Sequence, residues 1–212
     1  MNIYKKQYIL RKYMRAFAAI CHAEIGREYL VTNPLAIRKR HLRSFFKGMG
    51  IHNEETFLTS FHSHLRGVLQ NDYVKLCSSL ERKTVAERVA YIQSITNEKH
   101  RLELLVVNEY FYRLPKGGVA AHDYTWAIFK SWAGCKLGYI DFERHWKYVE
   151  DILASVRRDY EDWESYLTGF FVGVALLNPD DPDFASIHRI QDTLSRLLKS
   201  RLSPLHGVSI RR

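Results

Sequence analysis

The sequence is short of the residues that staple or kink a chain: 3 cysteines and 5 prolines in 212 residues. Cys21, Cys77 and Cys135 are far apart, odd in number and outside any Cys-x-x-Cys or Cys/His cluster. That excludes a readable disulfide framework or zinc ribbon, and neither metal nor cofactor is expected. Long apolar runs are missing too. The longest, Phe170 to Leu177, falls far below the roughly 20 residues that span a bilayer, so no membrane contact is expected. Near the start, Ile9 and Leu10 run straight into Arg11 and Lys12, with Arg15 close behind, which interrupts the stretch a secretory signal needs. The expectation is a reduced, cytoplasmic protein. Alternation of period two is nearly absent, which argues against sheets. Acids are scarce in residues 1–47, where eleven Lys and Arg face only Glu24 and Glu28.

What is present is the profile of one ordinary globular domain: 46% hydrophobic, 26% charged and 13% aromatic residues. A chain of this size buries about 70% of its unfolded surface without staples. The net charge of +9 is unevenly placed. Residues 141–183 carry eleven acids against four bases, and the residues beyond carry six bases against one acid. Such asymmetry concerns partners and steering, not fold.

Apolar residues recur at helical spacing, and the reading is all-α: a single domain over 1–212 with seven to nine helices. Leu10, Tyr13, Phe17, Ile20 and Cys21 place a long first helix over 3–31, within a basic N-terminal segment 1–35. A second helix is expected from Arg38 to Met49. Asn53 is the expected N-cap of a helix carrying Phe57, Leu58, Phe61 and Leu65, and Thr84-Val85-Ala86-Glu87 reads as a capping box opening a helix to about Ile95. Glu98 to Leu114 and 121–136 follow, the second closed by Gly138. Asp141 caps a helix with the stripe Phe142, Trp146, Val149, Leu153 and Val156, and Trp163 to Leu177 forms another. There Gly169 and Gly173 stand one turn apart, allowing close helix approach. A C-terminal helix is expected within 183–201, carrying Ile187, Ile190, Leu194 and Leu197.

Ala121-His122-Asp123, Gly138-Tyr139-Ile140, Trp146, Asp162-Trp163-Glu164 and Tyr166-Leu167-Thr168-Gly169 resemble the bacterial domain of unknown function typified by the YbeU and YbeR proteins. Met49-Gly50-Ile51 followed by Asn53-Glu54-Glu55 is similar to that family's Trp-Gly-Ile segment. The resemblance covers 36–178, which it marks as a helical core, and is strongest over 120–172. It implies an all-helical fold, no catalytic residues to carry over, and the company of toxin and secretion systems. In the family pattern, basic residues follow the Asp by a turn. This chain has Asp123-Tyr124-Thr125-Trp126 and Ser131-Trp132 instead, which implies loss of any anionic-ligand site there.

No catalytic constellation stands out. His62 and His64, two residues apart, diverge by about 200° on a helix and read as surface histidines. His122-Asp123 could pair a base with its orienting carboxylate, but Asp123 reads first as a helix cap, as does Asp141 beside His145. Gly-x-Ser-x-Gly, phosphate-loop and dinucleotide fingerprints are absent. Trp146 and Trp163 fit core stripes, whereas one of Trp126 and Trp132 is expected as an exposed anchor.

Tyr4, Tyr8, Arg11, Arg15 and Arg43 interleave aromatic and basic groups, which fits a docking surface, a single-stranded nucleic-acid surface or a plain solvated face. The leading functional expectation is a non-enzymatic protein-binding module, an immunity protein occluding a cognate bacterial toxin through those five residues. A nucleic-acid-binding protein and a toxin or effector enzyme with an unrecognised site are the alternatives.

Overall fold

The computed structural model describes residues 3–24, 33, 35–179 and 185–211. Helix follows helix through all of them: α1 (Ile3–Glu24), α2 (Lys39–Gly48), α3 (Glu54–Leu65), α4 (Val68–Leu80), α5 (Val85–Ser94), α6 (Glu98–Tyr110), α7 (Ala120–Leu137), α8 (Phe142–Asp159), α9 (Trp163–Leu177) and α10 (Ala185–Lys199), then a 3-10 turn Pro204–Gly207. The ten helices among the described residues exceed the expected seven to nine. The added one is α4. Its stripe Leu69, Tyr73, Leu76 and Leu80 has helical spacing, but only Arg66-Gly67 separates it from α3, without proline or a polar cluster. Gly67 makes that break at φ 63°, a left-handed conformation in which a Cβ is strained.

Local signals set most helix starts. Asn53 and Thr56 form a reciprocal capping box at α3, Thr84 and Glu87 another at α5, and Asp162 and Ser165 a third at α9. The expected α6 is shorter than read, ending at Tyr110, although Phe111 and Leu114 still pack on the core. The expected continuation of α1 to residue 31 lies outside the described residues.

α7 organises the rest. Fourteen of its eighteen residues are buried, as befits a helix with no solvent face, and α1, α3, α8 and α9 all pack around it. α1 is not a basic appendage. Tyr13, Met14, Phe17, Ile20 and Cys21 on one side of it lie in the main core, and the Tyr13 hydroxyl donates to the carbonyl of Ser209. The helical core therefore extends beyond 36–178 at both ends. A second apolar cluster, including Tyr73, Leu80, Ile92, Leu104, Val107 and Val172, ties α4, α5 and α6 to α9.

The start of α7 is fixed from three sides. Tyr166 donates from its hydroxyl to the Ala121 carbonyl at 2.8 Å and accepts from Thr125 Oγ1 at 2.8 Å. Tyr160 Oη accepts the Ala121 N–H at 2.8 Å. Gln70 on α4 accepts the Val119 N–H through Oε1 at 2.8 Å, while its own N–H donates to Asp123 Oδ2 at 3.0 Å. Each of the two helices thus supplies a side chain that satisfies a free donor at the other's N-terminus. Asp123 is a cap, as expected, but of α4 rather than of its own helix. Asp141 does cap α8, accepting from the Arg144 N–H at 2.8 Å.

Candidate functional site

Where α7 meets the ends of α1 and α3, the apolar core gives way to charge. Residues Ser60 and His64, one turn apart on α3, face Asp123, Trp126 and Lys130 on α7. His64 Nδ1 lies 3.3 Å from Asp123 Oδ1. His122 Nε2 lies 3.4 Å from Glu24 Oε1 at the end of α1, and Trp126 Nε1 donates to Glu24 Oε2 at 2.8 Å. Lys130 Nζ donates to Ser60 Oγ at 2.6 Å. Aromatic rings seal the cluster: Phe170 stacks on His122 at 5.5 Å, and Phe45 lies parallel to Trp126 at 6.3 Å. Gly173 on α9 admits His122, since a Cβ there would come within 2.8 Å of His122 Cβ.

Burial governs the electrostatics. Asp123 and His122 side chains are 2% and 4% exposed, whereas His64 and Glu24 keep 19% and 16%. The cluster is therefore closed at its base and reaches solvent along one edge. Burial lowers the His64 pKa, partly offset by its hydrogen bond to Asp123. Burial also pulls Lys130 down to about 8 and pushes the Cys21 thiol well up. His122 Nδ1 is buried with no hydrogen-bond partner, a group whose desolvation costs about 1–3 kcal/mol when unsatisfied. Elsewhere His145, expected beside Asp141, turns inward to Ser131 Oγ at 2.8 Å and is held by burial at about 4.

Lys130 makes the fold pH-sensitive. A lysine whose pKa is lower folded than unfolded leaves the unfolded chain binding more protons between about 8 and 10.5, so its contribution to stability rises with pH across that window. Wild type should gain on Lys130→Met, by on the order of 3 kcal/mol over the full window, when urea midpoints at about pH 7 and about pH 10 are compared. A difference that does not change with pH would place the ammonium in solvent.

The structure brings together residues the sequence left apart. His64, expected on the surface with His62, is drawn in by Asp123, and only His62 is exposed. The reason is register: the α3 side bearing Ser60 and His64 is the side packed on α7. Glu24 and Lys130 stand in no local sequence motif. Lys130 stands two turns past Asp123, and an ammonium in the middle of a helix otherwise rich in apolar residues was the available signal. The exposed anchor expected at Trp126 or Trp132 does not occur, since Trp126 is 4% exposed and Trp132 is half-buried against the core.

The five expected docking residues all lie on the outside. Tyr4, Tyr8, Arg11 and Arg15 run along α1 at 4-3-4 spacing, with Tyr4 78% and Tyr8 62% exposed. Lys12 Nζ sits 4.8 Å from the Tyr8 ring centre. Arg43 is exposed on α2 and borders, with Lys47, a cleft of 610 Å³ leading to the start of α3. Acids of the C-terminal half pair nearby: Asp141 with Arg144, Asp159 with Arg158, and Glu161 with Arg211.

These features define an all-helical protein with an ionisable cluster at its central helix and an aromatic-basic outer stripe. The family described as a protein of unknown function (DUF1266) matches residues 47–209, and the chain belongs to it. No curated protein and no solved structure matches the chain. No helix among the described residues is long and apolar enough to cross a membrane.

Proposed function

We propose that the chain is a non-enzymatic protein-binding module of the bacterial cytoplasm that docks an acidic partner protein through the outer face of α1 and Arg43. The carrying observation is that Tyr4, Tyr8, Arg11 and Arg15 form one exposed stripe on a helix whose opposite face is locked into the core. A locked helix presents these groups without ordering cost, and exposed Tyr and Arg are the side chains enriched in interface cores. Basic charge on the stripe steers an acidic partner at a rate that salt slows. The YbeU/YbeR-like resemblance, with its toxin-rich company, makes an immunity protein occluding a cognate toxin the particular form of this reading.

The test is binding of the protein encoded beside this chain's gene to wild type and to the Arg11→Glu, Arg15→Glu, Arg43→Glu triple variant. These side chains are exposed, so the variant should keep its helical spectrum and lose association by about tenfold or more, with most of the early loss in on-rate. Equal association of a folded triple variant would remove this face as the docking surface.

A further inference from the structure

We propose that His64, His122 and Asp123 form a binding site for one divalent transition-metal ion of the zinc class, oriented by Glu24 and Gln70. Each of the three residues offers a ligand atom, and these atoms lie within 4.8 Å of one another. His64 Nδ1 and Asp123 Oδ1, 3.3 Å apart, already stand at about the edge length of a tetrahedron with ligands at about 2.0–2.1 Å. The ligand atom of His122 lies within 4.8 Å of both.

His122 supplies the independent observation. Its Nε2 faces Glu24 at 3.4 Å, and its Nδ1 is buried with no hydrogen-bond partner. In the neutral ring with the proton directed at Glu24, Nδ1 is a bare lone pair. Protonating it does not help, because the new N–H finds no acceptor. A Lewis acid uses that lone pair. Metal-bound histidines commonly donate their second nitrogen to a carboxylate, the relation Glu24 bears to His122, and Glu24 is itself held by Trp126 Nε1 at 2.8 Å. Asp123 is oriented in the same way by the Gln70 N–H at 3.0 Å on its other oxygen.

Two imidazoles and one carboxylate are too nitrogen-rich for calcium or magnesium and suit zinc, cobalt or nickel. The carboxylates of Asp123 and Glu24 outweigh the single ammonium of Lys130. His64, 19% exposed, puts one side of the site at the solvent edge, from which water would supply a fourth ligand.

The full chain, stripped with chelator, is titrated with cobalt(II) and then zinc(II). Wild type should bind one equivalent with the intense visible absorption of four-coordinate cobalt, displaced by zinc. His64→Gln should abolish the band, Glu24→Gln should weaken binding by about 10–100-fold, and His62→Gln should leave both unchanged. Wild type that binds no cobalt, or binds it with only the weak spectrum of six-coordinate cobalt, overturns the site. So does a folded His64→Gln protein that binds like wild type. Should His64→Gln lose its helical spectrum, the wild-type spectrum and stoichiometry decide.

Discussion

Trp163→Ala should cost about 3–5 kcal/mol, the usual loss for truncating a buried aromatic. Trp163 is 9% exposed and meets Phe17 edge-on at 5.4 Å and Tyr166 at 5.7 Å, so one ring joins α1 to α9. Its indole N–H donates to the Val208 carbonyl at 2.9 Å, which also pins the C-terminal segment. Truncation removes the ring and leaves that carbonyl without its donor. Denaturant midpoints give the answer, with Leu202→Ala, at a side chain 77% exposed, changing by less than about 0.5 kcal/mol. A loss below about 1 kcal/mol at Trp163 would mean that α1 and the C-terminal segment are not seated as described.

The second large effect is expected at Gly169→Ala. A Cβ at this position would fall against the Gly118 carbonyl oxygen, well inside van der Waals contact, and 3.1 Å from the Tyr160 ring and hydroxyl. The obstacle is backbone, so no side-chain rotation relieves it, and α9 must move away from the start of α7. Overpacking of this kind costs about 1–3 kcal/mol or more, against the gain of roughly 1 kcal/mol that Ala brings to a helix interior. Because Tyr160 and Tyr166 hold Ala121 in place, the shift should also loosen His122 and Asp123. Melting temperature tests the first consequence. Unchanged or higher stability of Gly169→Ala would contradict the close α7–α9 approach.

Helices were legible where a cap or a breaker marked them. Thr84 with Glu87, Asn53 and Asp141 act through bonds spanning three residues, so sequence shows both partners at once. The Gly169 and Gly173 pair was legible because a turn's spacing of small residues implies a close neighbour. α4 was missed because its boundary rests on the backbone conformation of Gly67 alone, although its stripe was complete. The ionisable cluster was illegible for a different reason. Glu24, His64 and His122 come from three helices, and His122 lies 98 positions from Glu24. Local pairs drew attention instead: His62 with His64, His122 with Asp123, Asp141 with His145. In each the structure gives the histidine a partner on another element, Asp123 for His64, Glu24 for His122 and Ser131 for His145, because packing of α3, α8 and α1 on α7 decides which side of each helix is inside.

Nucleic-acid affinity across a salt series tests the docking assignment most directly, since the same stripe of Tyr4, Tyr8, Arg11 and Arg15 would serve either partner. Single-stranded and duplex DNA and RNA are titrated into the full chain and into the Arg11→Glu, Arg15→Glu, Arg43→Glu variant. A protein-docking face predicts only weak binding at low salt, collapsing by about 0.15 M as counterion release demands. Binding tighter than about 10⁻⁶ M at that salt, beyond the usual non-specific range, and lost in the folded triple variant, would contradict it and make nucleic acid the partner of this face.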